Sequence, residues 1–395
     1  MTISASLLDL RFVALLAAIA LLRPFIPQRF YIGFGTISSA LVVGFAAPQT
    51  FIVIAAVTLF YLYPLHRLMR AAGERGYSKL VSKWLLGLGI GGLIALLLIF
   101  KLYRNFTVPW LSGPWLAPKV LALIGFSYFI FRAISFLHIQ TILKIDERRP
   151  WALLWYTLFP PTLTSGPIQK YQDFRQQVSA PMPLSRSLAW TAAYRITRGY
   201  FRKVVLAFAL NEAITRVLAA NQLTVVTSIL VVALFYLYFY FDFAGYSDIA
   251  IGFGLLMGIK VPENFRKPFL ATTVSEFWRN WHITLVDWFR DHVFIPLGGM
   301  QTSRTRAAML AFLIMVLCGL WHGLTLSLLA WGAWHGLLLL SEGLSGSRPV
   351  PPALRQGINY WSRVLWTNAR VAFGCIFFLP ASDTMFKIFR GFANW

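Results

Sequence analysis

Two histidines stand inside a long uncharged stretch. The tetrad Trp-His-Gly-Leu occurs at residues 321–324 and again at 334–337, within a run from Ala307 to Leu340 that has no Asp, Glu, Lys or Arg. An imidazole taken out of water loses its charged form, because desolvation penalises the cation. His322 and His335 are therefore expected neutral, each with a ring nitrogen able to accept a proton. A general base acting on a hydroxyl or amine needs that state. The competing reading is a packing histidine whose ring nitrogens bond backbone or tyrosine, and it fits His335 more readily than His322. Cys318 lies four residues before His322, a spacing that would set thiol and base on one helix face. An acyl-enzyme route is thus open, although a cysteine in apolar surroundings is usually inert packing.

A third histidine, His282, lies in "SEFWRNWHITLVDWFRDHVFIPLGG" (275–299), where aromatic and charged residues alternate too densely for a lipid-facing span. Phe277, Trp281, Ile283, Leu285, Trp288 and Phe289 would line one face of an interfacial helix, with Ser275 as its cap. Asp242, Asp248 and Glu263 would cap helices or pair with Arg266 and Lys267. No paired carboxylates call for hydrolysis. The six histidines show no metal-ligand spacing, and no P-loop, G-x-S-x-G or H-E-x-x-H motif is present.

The elements that hold these residues must be membrane helices. The chain is 58% hydrophobic and only 13% charged, about half the charged content of a soluble domain. Uncharged runs recur at 12–22, 34–66, 84–100, 223–241 and 307–340. With about 20 apolar residues per crossing, they make an all-α polytopic membrane protein of about ten spans. The first run has no basic segment before it and ends in Leu22-Arg23-Pro24, so it reads as a retained span rather than a signal peptide. A net charge of +22 in this setting means basic loops against anionic lipid, not a nucleic-acid partner. The loop 66–83 is the clearest of these and is placed in the cytoplasm. Two cysteines, Cys318 and Cys375, exclude a disulfide framework or a structural zinc site.

Length also divides the histidine run. A continuous helix over residues 307–340 would be about 51 Å long at 1.5 Å per residue, against a hydrocarbon core of about 30 Å. Gly319 and Gly323 bracket His322, which makes that the natural break. On an unbroken helix, thirteen residues would turn His335 about 220° away from His322, so the two would do different work. Elsewhere, "YTLFPPTLTSGPIQKYQDF" (156–174) holds Pro160-Pro161 and Gly166-Pro167 and must be broken. It is apolar enough to be a re-entrant segment shielded by protein. "WTAAYRITRGYFRKVVLAF" (190–208) sets Arg195, Arg198, Arg202 and Lys203 at helical spacing, and "GFSYFIFRAISFLHIQTILK" (125–144) carries Arg132 and His138 on different faces. One integral-membrane domain is expected over 1–395: scaffold spans at 1–115, a core at 120–340, and a loop and final span at 341–395.

Taken together, "YFDFAGYSDIAIG", "GIKVPENFRKPF", "EFWRNWHITLVDWFRDHVFIPLGG" and "GLWHGLTLSLLAWGAWHG" resemble the membrane-bound O-acyltransferase (MBOAT) family in its bacterial DltB/AlgI-like branch. "GFSYFIFRAISF" and "LFPPTLTSGPIQKYQDF" extend the match upstream. The resemblance implies a ring of helices with re-entrant segments around a central funnel or tunnel. It makes His322 the catalytic histidine and His282 the second polar position of the site. His335 and Trp321 would support them, with Gly166, Pro167, Glu263 and Asn264 around the chamber. It further implies a small acyl group carried as a thioester on CoA or on the phosphopantetheine of an acyl carrier protein, with no permanently bound cofactor. Arg266, Lys267, Arg279 and Arg290 would hold the donor's phosphates. The acyl group would cross the inner or plasma membrane to a hydroxyl on an envelope polymer or partner protein, and an extracytoplasmic acyltransferase of the DltD/AlgJ type would be a partner. "TSGPI" and "MGIKVPENFRKPF" lean toward D-alanyl transfer and "GYSD" toward acetyl transfer, while Asn280 and Val286-Asp287 depart from the alginate pattern. The polymer stays open. Rival readings are a transporter or flippase, a scaffold that docks a soluble transferase, and a lipid- or protein-acylating member of the family.

Overall fold

Apolar runs punctuated by proline and glycine give a chain of helices. The computed structural model describes residues 10–74, 79–105, 123–143, 147–220, 222–299, 301–379 and 382–393. In chain order the helices are α1 (Leu10–Leu22), α2 (Tyr31–Ala46), α3 (Pro48–Val57), α4 (Tyr63–Glu74), α5 (Lys79–Asn105) and α6 (Phe126–Leu143). There follow α7 (Pro150–Leu158), α8 (Tyr171–Ser179), α9 (Arg186–Tyr200), α10 (Ala207–Leu218), α11 (Val225–Leu256) and α12 (Val274–Asn280). The last five are α13 (Ile283–Phe289), α14 (Arg304–His322), α15 (Leu326–Ser345), α16 (Gly357–Gly374) and α17 (Ser382–Ala393). Wider π-helical turns at Thr58–Leu62, Phe201–Leu206 and Arg290–Phe294 interrupt the α-helical register. The described residues contain no β-strand, only an isolated antiparallel bridge between Phe265 and Trp281.

Five helical runs among the described residues are long and apolar enough to cross a membrane: Gln28–Ala46, Pro48–Glu74, Lys83–Tyr103, Val225–Leu256 and Arg304–His322. The chain is an all-α, multi-pass membrane protein. Apolar length alone counted about ten spans; several of those stretches form shorter helices or helices with polar content. α15 is 20 residues long but carries two tryptophans, His335 and Glu342.

Residues 2–197 with 247–262 form one compact unit, and 198–246 with 263–395 form a second. In the first unit the 156–174 segment is broken as its prolines require. α7 stops at Leu158, a single 3₁₀ turn follows at Pro160–Thr162, and α8 begins only at Tyr171. Gly166 has φ +80° and precedes a cis bond to Pro167. The Tyr156 hydroxyl donates to the Gln169 carbonyl (2.6 Å) and closes the excursion, most of which is buried. Below it, Glu147 accepts from the Tyr171 hydroxyl (2.7 Å) and pairs with Arg149 and Arg175 (both 3.1 Å). Burial alone would raise this carboxyl's pKa, but the hydrogen bonds from Arg149 and Tyr171 hold it below the ordinary range. At the end of α11, Arg23 donates to the Leu256 carbonyl (3.1 Å) and fills the space beside Gly258, whose φ is +75°.

Ion pairs within each unit correct the expected partners of the two intramembrane aspartates. Asp248 pairs with Arg195 (3.0 Å) and Asp242 with Lys203, rather than with Arg266 or Lys267. The cations come from α9 and the π turn after it, so the basic face of 190–208 serves as the counter-charge of α11. In the second unit, α14 and α15 fold back antiparallel with glycine at the contacts. A Cβ on Gly319 would lie 2.3 Å from the Leu328 carbonyl oxygen, and one on Gly332 would lie 2.5 Å from that of Met315. Small residues let helix backbones meet this closely.

Candidate active site

His322 is the last residue of α14. Gly323 follows in extended backbone, and Thr325 caps α15 by accepting from the Leu328 N–H (3.3 Å). The division falls where the excess length and the flanking glycines require it. The His322 ring is half-buried and stands against Trp321 (4.5 Å between centroids), Phe378 (4.8 Å) and Trp331 (5.3 Å). His335 is 1% exposed. It packs against Trp331 (5.0 Å) and Trp278 (5.1 Å), and its Nε2 lies over Gly374, where a Cβ would be only 2.4 Å away. The break thus reverses the expected divergence, since both imidazoles meet Trp331. Neither the Nδ1 of His335 nor the Nε1 of Trp278 has a hydrogen-bond partner among the described residues.

His282 is placed by a different device. Thr273 caps α12 by accepting from the Glu276 N–H (3.0 Å), two residues before the expected cap at Ser275. The helix lasts seven residues and does not run on through 275–299 as one interfacial helix. Residues 264–266 pair with 280–283 instead: Arg266 N–H donates to Asn280 O and Ile283 N–H to Asn264 O, both at 3.0 Å. The bridge pulls Trp281 into extended backbone and His282 into the left-handed region (φ 47°, ψ 49°). That conformation costs a non-glycine residue on the order of 1–3 kcal/mol and is held only where the surroundings dictate it. α13 then starts at Ile283.

Asn264 is fully buried and organises this turn. Its Oδ1 accepts from the Thr284 hydroxyl (2.7 Å) and the Thr284 N–H (3.3 Å), so it caps α13 from outside the helix, and it meets His282 Nδ1 at 3.3 Å. An amide oxygen only accepts, so this contact is a hydrogen bond in the tautomer that carries the His282 proton on Nδ1. Phe243 lies edge-on to the imidazole at 4.6 Å. A cavity of about 160 Å³ adjoins His282, and its lining includes Trp278, Leu285, Met315 and Cys318. Trp278 also meets Trp331 (5.7 Å), so a pair of indoles runs from the cavity of His282 to the ring of His322.

The remaining candidates divide. Trp321 touches His322. Glu263, Arg266, Lys267 and Arg279 are exposed. Arg290 lines the cavity, but its guanidinium is held by Asp287 (2.6 Å) and Asp291 (2.9 Å). Gly166 and Pro167 belong to the first unit. Cys318 faces the cavity of His282, only 4% exposed. Among the described residues no three His, Cys, Asp or Glu side chains gather to hold a metal ion. Sequence reading missed Trp331, Trp278, Thr284 and Phe378 as neighbours of the histidines. Trp331 lay within "GLWHGLTLSLLAWGAWHG" without standing out, and nothing marked Phe378, more than fifty positions beyond His322.

A half-buried imidazole thus stands at the break between α14 and α15, and a second, buried imidazole is oriented by an asparagine. Residues 144–382 match the sequence profile of the membrane-bound O-acyltransferase family, and the chain belongs to that family. It is similar to the probable alginate O-acetylase AlgI of Pseudomonas putida, with 34% identity over 303 residues, 74% of this chain and 61% of that protein. It is also similar to the teichoic acid D-alanyltransferase of Bacillus subtilis (31% over 257 residues, 61% of this chain and 65% of that protein). A peptidoglycan O-acetyltransferase of Helicobacter pylori matches at 29% over 194 residues, 47% of this chain and 36% of that protein. The chain spans about three fifths of the length of the alginate O-acetylases it matches. Both arms of the expected DltB/AlgI-like branch are represented.

Proposed function

We propose that this protein moves a small acyl group from a thioester donor to a hydroxyl of an envelope polymer, with His322 as general base. The observation that carries the reading is His322 itself: a half-buried imidazole at the break between α14 and α15, enclosed by three aromatic rings. The acceptor hydroxyl gives its proton to His322 as its oxygen attacks the thioester carbonyl. The C–O bond forms, the tetrahedral intermediate collapses with cleavage of the C–S bond, and the proton passes from His322 to the leaving thiolate. With its proton on Nδ1 toward Asn264, His282 has acceptor character at Nε2. It orients an acceptor hydroxyl rather than polarising the carbonyl, which would need an N–H there.

The donor is an acyl-CoA or an acylated carrier protein on the cytoplasmic side of the inner or plasma membrane. In this reading the exposed Arg266, Lys267 and Arg279 meet its phosphates, and Arg290 would first have to leave its two aspartates. The acyl group, acetyl or D-alanyl, reaches the polymer directly or through an extracytoplasmic partner acyltransferase. Relatives named for alginate, teichoic acid and peptidoglycan support an envelope acceptor.

The test compares base-labile esters on purified envelope polymers from a deletion strain carrying wild type, His322→Ala or no gene, with both proteins verified in the membrane. Loss of the general base should lower ester formation about 10²- to 10⁴-fold, and the missing ester names the group and the polymer. Equal restoration by wild type and His322→Ala would remove His322 from the chemistry and favour transport or docking.

A further inference from the structure

We infer that Glu342 is a positioning residue for His282, acting through α12; this rests on the acyltransfer reading above. An α-helix of seven residues is far too short to be stable alone, and its first turn leaves N–H groups with no intrahelical partner. In α12 these are accounted for one by one. Thr273 accepts from Glu276 N–H, but the two before it go to a residue far along the chain. Val274 N–H donates to Glu342 Oε1 (2.8 Å) and Ser275 N–H to Glu342 Oε2 (2.9 Å). The local sequence thus supplies one cap, and α15 supplies two.

Glu342 and His335 are seven residues apart on α15, which places them within about 20° of each other around the helix. The same face of α15 therefore grips α12 twice: by the carboxylate at its N-terminus, and by the His335 ring against Trp278 one turn further on (5.1 Å). Both contacts are buried, Glu342 being 7% exposed. Arg370 steadies the carboxylate from α16 (3.4 Å). The far end of α12 runs straight into the extended Trp281 and left-handed His282. Where α12 sits along α15 fixes where His282 meets Asn264 and the cavity. Glu342 belongs to no motif, and its carboxylate meets the Val274 and Ser275 N–H groups and Arg370.

Three variants separate a clamp from a simple ion pair. Glu342→Gln keeps the shape but offers one acceptor oxygen where two N–H groups need partners. Arg370→Gln breaks the same ion pair and leaves both backbone bonds. Val274→Pro removes one N–H at the first helical position, where proline is tolerated, after a Thr273 already extended (φ −144°, ψ 154°). Two readouts are taken: envelope ester per folded protein in the deletion strain, and amide hydrogen exchange of peptides covering 274–283 in the purified full chain. Glu342→Gln should lose activity about 10- to 100-fold and exchange at least tenfold faster. Arg370→Gln should stay within about threefold of wild type in both, and Val274→Pro should fall between. Equal losses in Glu342→Gln and Arg370→Gln, or full activity in Glu342→Gln despite faster exchange, would overturn the inference. If Glu342→Gln fails to accumulate, Val274→Pro decides, and wild-type behaviour there overturns it. If wild type itself adds no ester over the deletion, acyltransfer fails, and the exchange data still judge the clamp.

Discussion

Removing Asn264 should separate the orientation of His282 from the stability of the fold. Asn264→Ala deletes one acceptor that serves three buried donors: Thr284 Oγ1 at 2.7 Å, Thr284 N and His282 Nδ1 at 3.3 Å each. An unmade buried hydrogen bond costs about 1–3 kcal/mol. Two of these contacts are long and belong at the low end, so the loss is about 3–4 kcal/mol, less than a typical total stability of about 5–15 kcal/mol. Most of the protein therefore stays folded. Turnover should fall further than folding does, about 10- to 100-fold, because the Asn264 contact that orients His282 Nδ1 is gone. Thr284→Val is the control: it removes the shortest bond, costs about 1 kcal/mol, and leaves Asn264 facing His282, so activity per folded protein should stay near wild type. Asn264→Asp keeps all three acceptor contacts but sets a negative charge beside the imidazole, which raises its pKa. If His282 works as a neutral acceptor, its inactive cation then persists to higher pH, and the acid limb of the pH–activity profile moves upward. The assay is ester formation per folded protein across a pH series. Asn264→Ala within about twofold of wild type, or an unmoved acid limb in Asn264→Asp, would refute the orienting role.

Three further outcomes test the framework around the site. Gly332→Ala would drive a Cβ to 2.5 Å from the Met315 carbonyl oxygen and 3.0 Å from Val316 Cα, backbone atoms that cannot swing aside; membrane level and melting temperature should drop, whereas Gly33→Ala, with nothing within 4 Å, should leave both unchanged. Lys203→Met strands Asp242, and because that carboxylate keeps 28% of its exposure the expected loss is about 1–3 kcal/mol, short of the roughly 3–5 for a fully buried pair. Adding Asp242→Asn should recover part of it, and a double variant no more stable than the single would count against the pair. Glu147 has a folded pKa below its unfolded one, so its contribution is present above the ordinary carboxylate range near pH 4 and fades as pH falls through that range toward the folded value. Melting curves of wild type and Glu147→Gln should therefore differ at pH 7 and converge in strong acid; parallel curves at all pH values would reject the linkage.

Much of the frame was legible because a physical limit forced it. The 307–340 run overshoots the bilayer, so it had to divide, and glycine on both sides of His322 said where. Pro160-Pro161 and Gly166-Pro167 could not sit in a continuous helix. The turn at His282 was hidden for the opposite reason. The aromatic pattern of 275–299 is compatible with one amphipathic helix, and it is interrupted by a bridge to residues 264–266 that no local periodicity encodes. The cap at Thr273 was readable after all, since Thr273-x-x-Glu276 has the capping-box spacing; Ser275 lay inside the helix it was meant to start. The partners of Asp242 and Asp248 were out of reach because the pairing runs over 39 and 53 positions to another helix.

Burial also separates the two Trp-His-Gly histidines. Both rings touch Trp331, but His335 is 1% exposed and is backed by Gly374 and Trp278. Its ring is packed against Trp278, Trp331 and Gly374, and displacing an indole from a close-packed interior is costly. His322 occupies the end of α14, where the helix has run out and three residues of non-helical backbone separate it from α15. It is enclosed on the sides given by Trp321, Trp331 and Phe378 and only half-buried overall. The break gives one histidine access and leaves its twin in the packing between α15 and α12. On the proposed function, the duplicated tetrad is one motif used for two purposes, a base at the end of α14 and a brace behind the indole that both histidines touch.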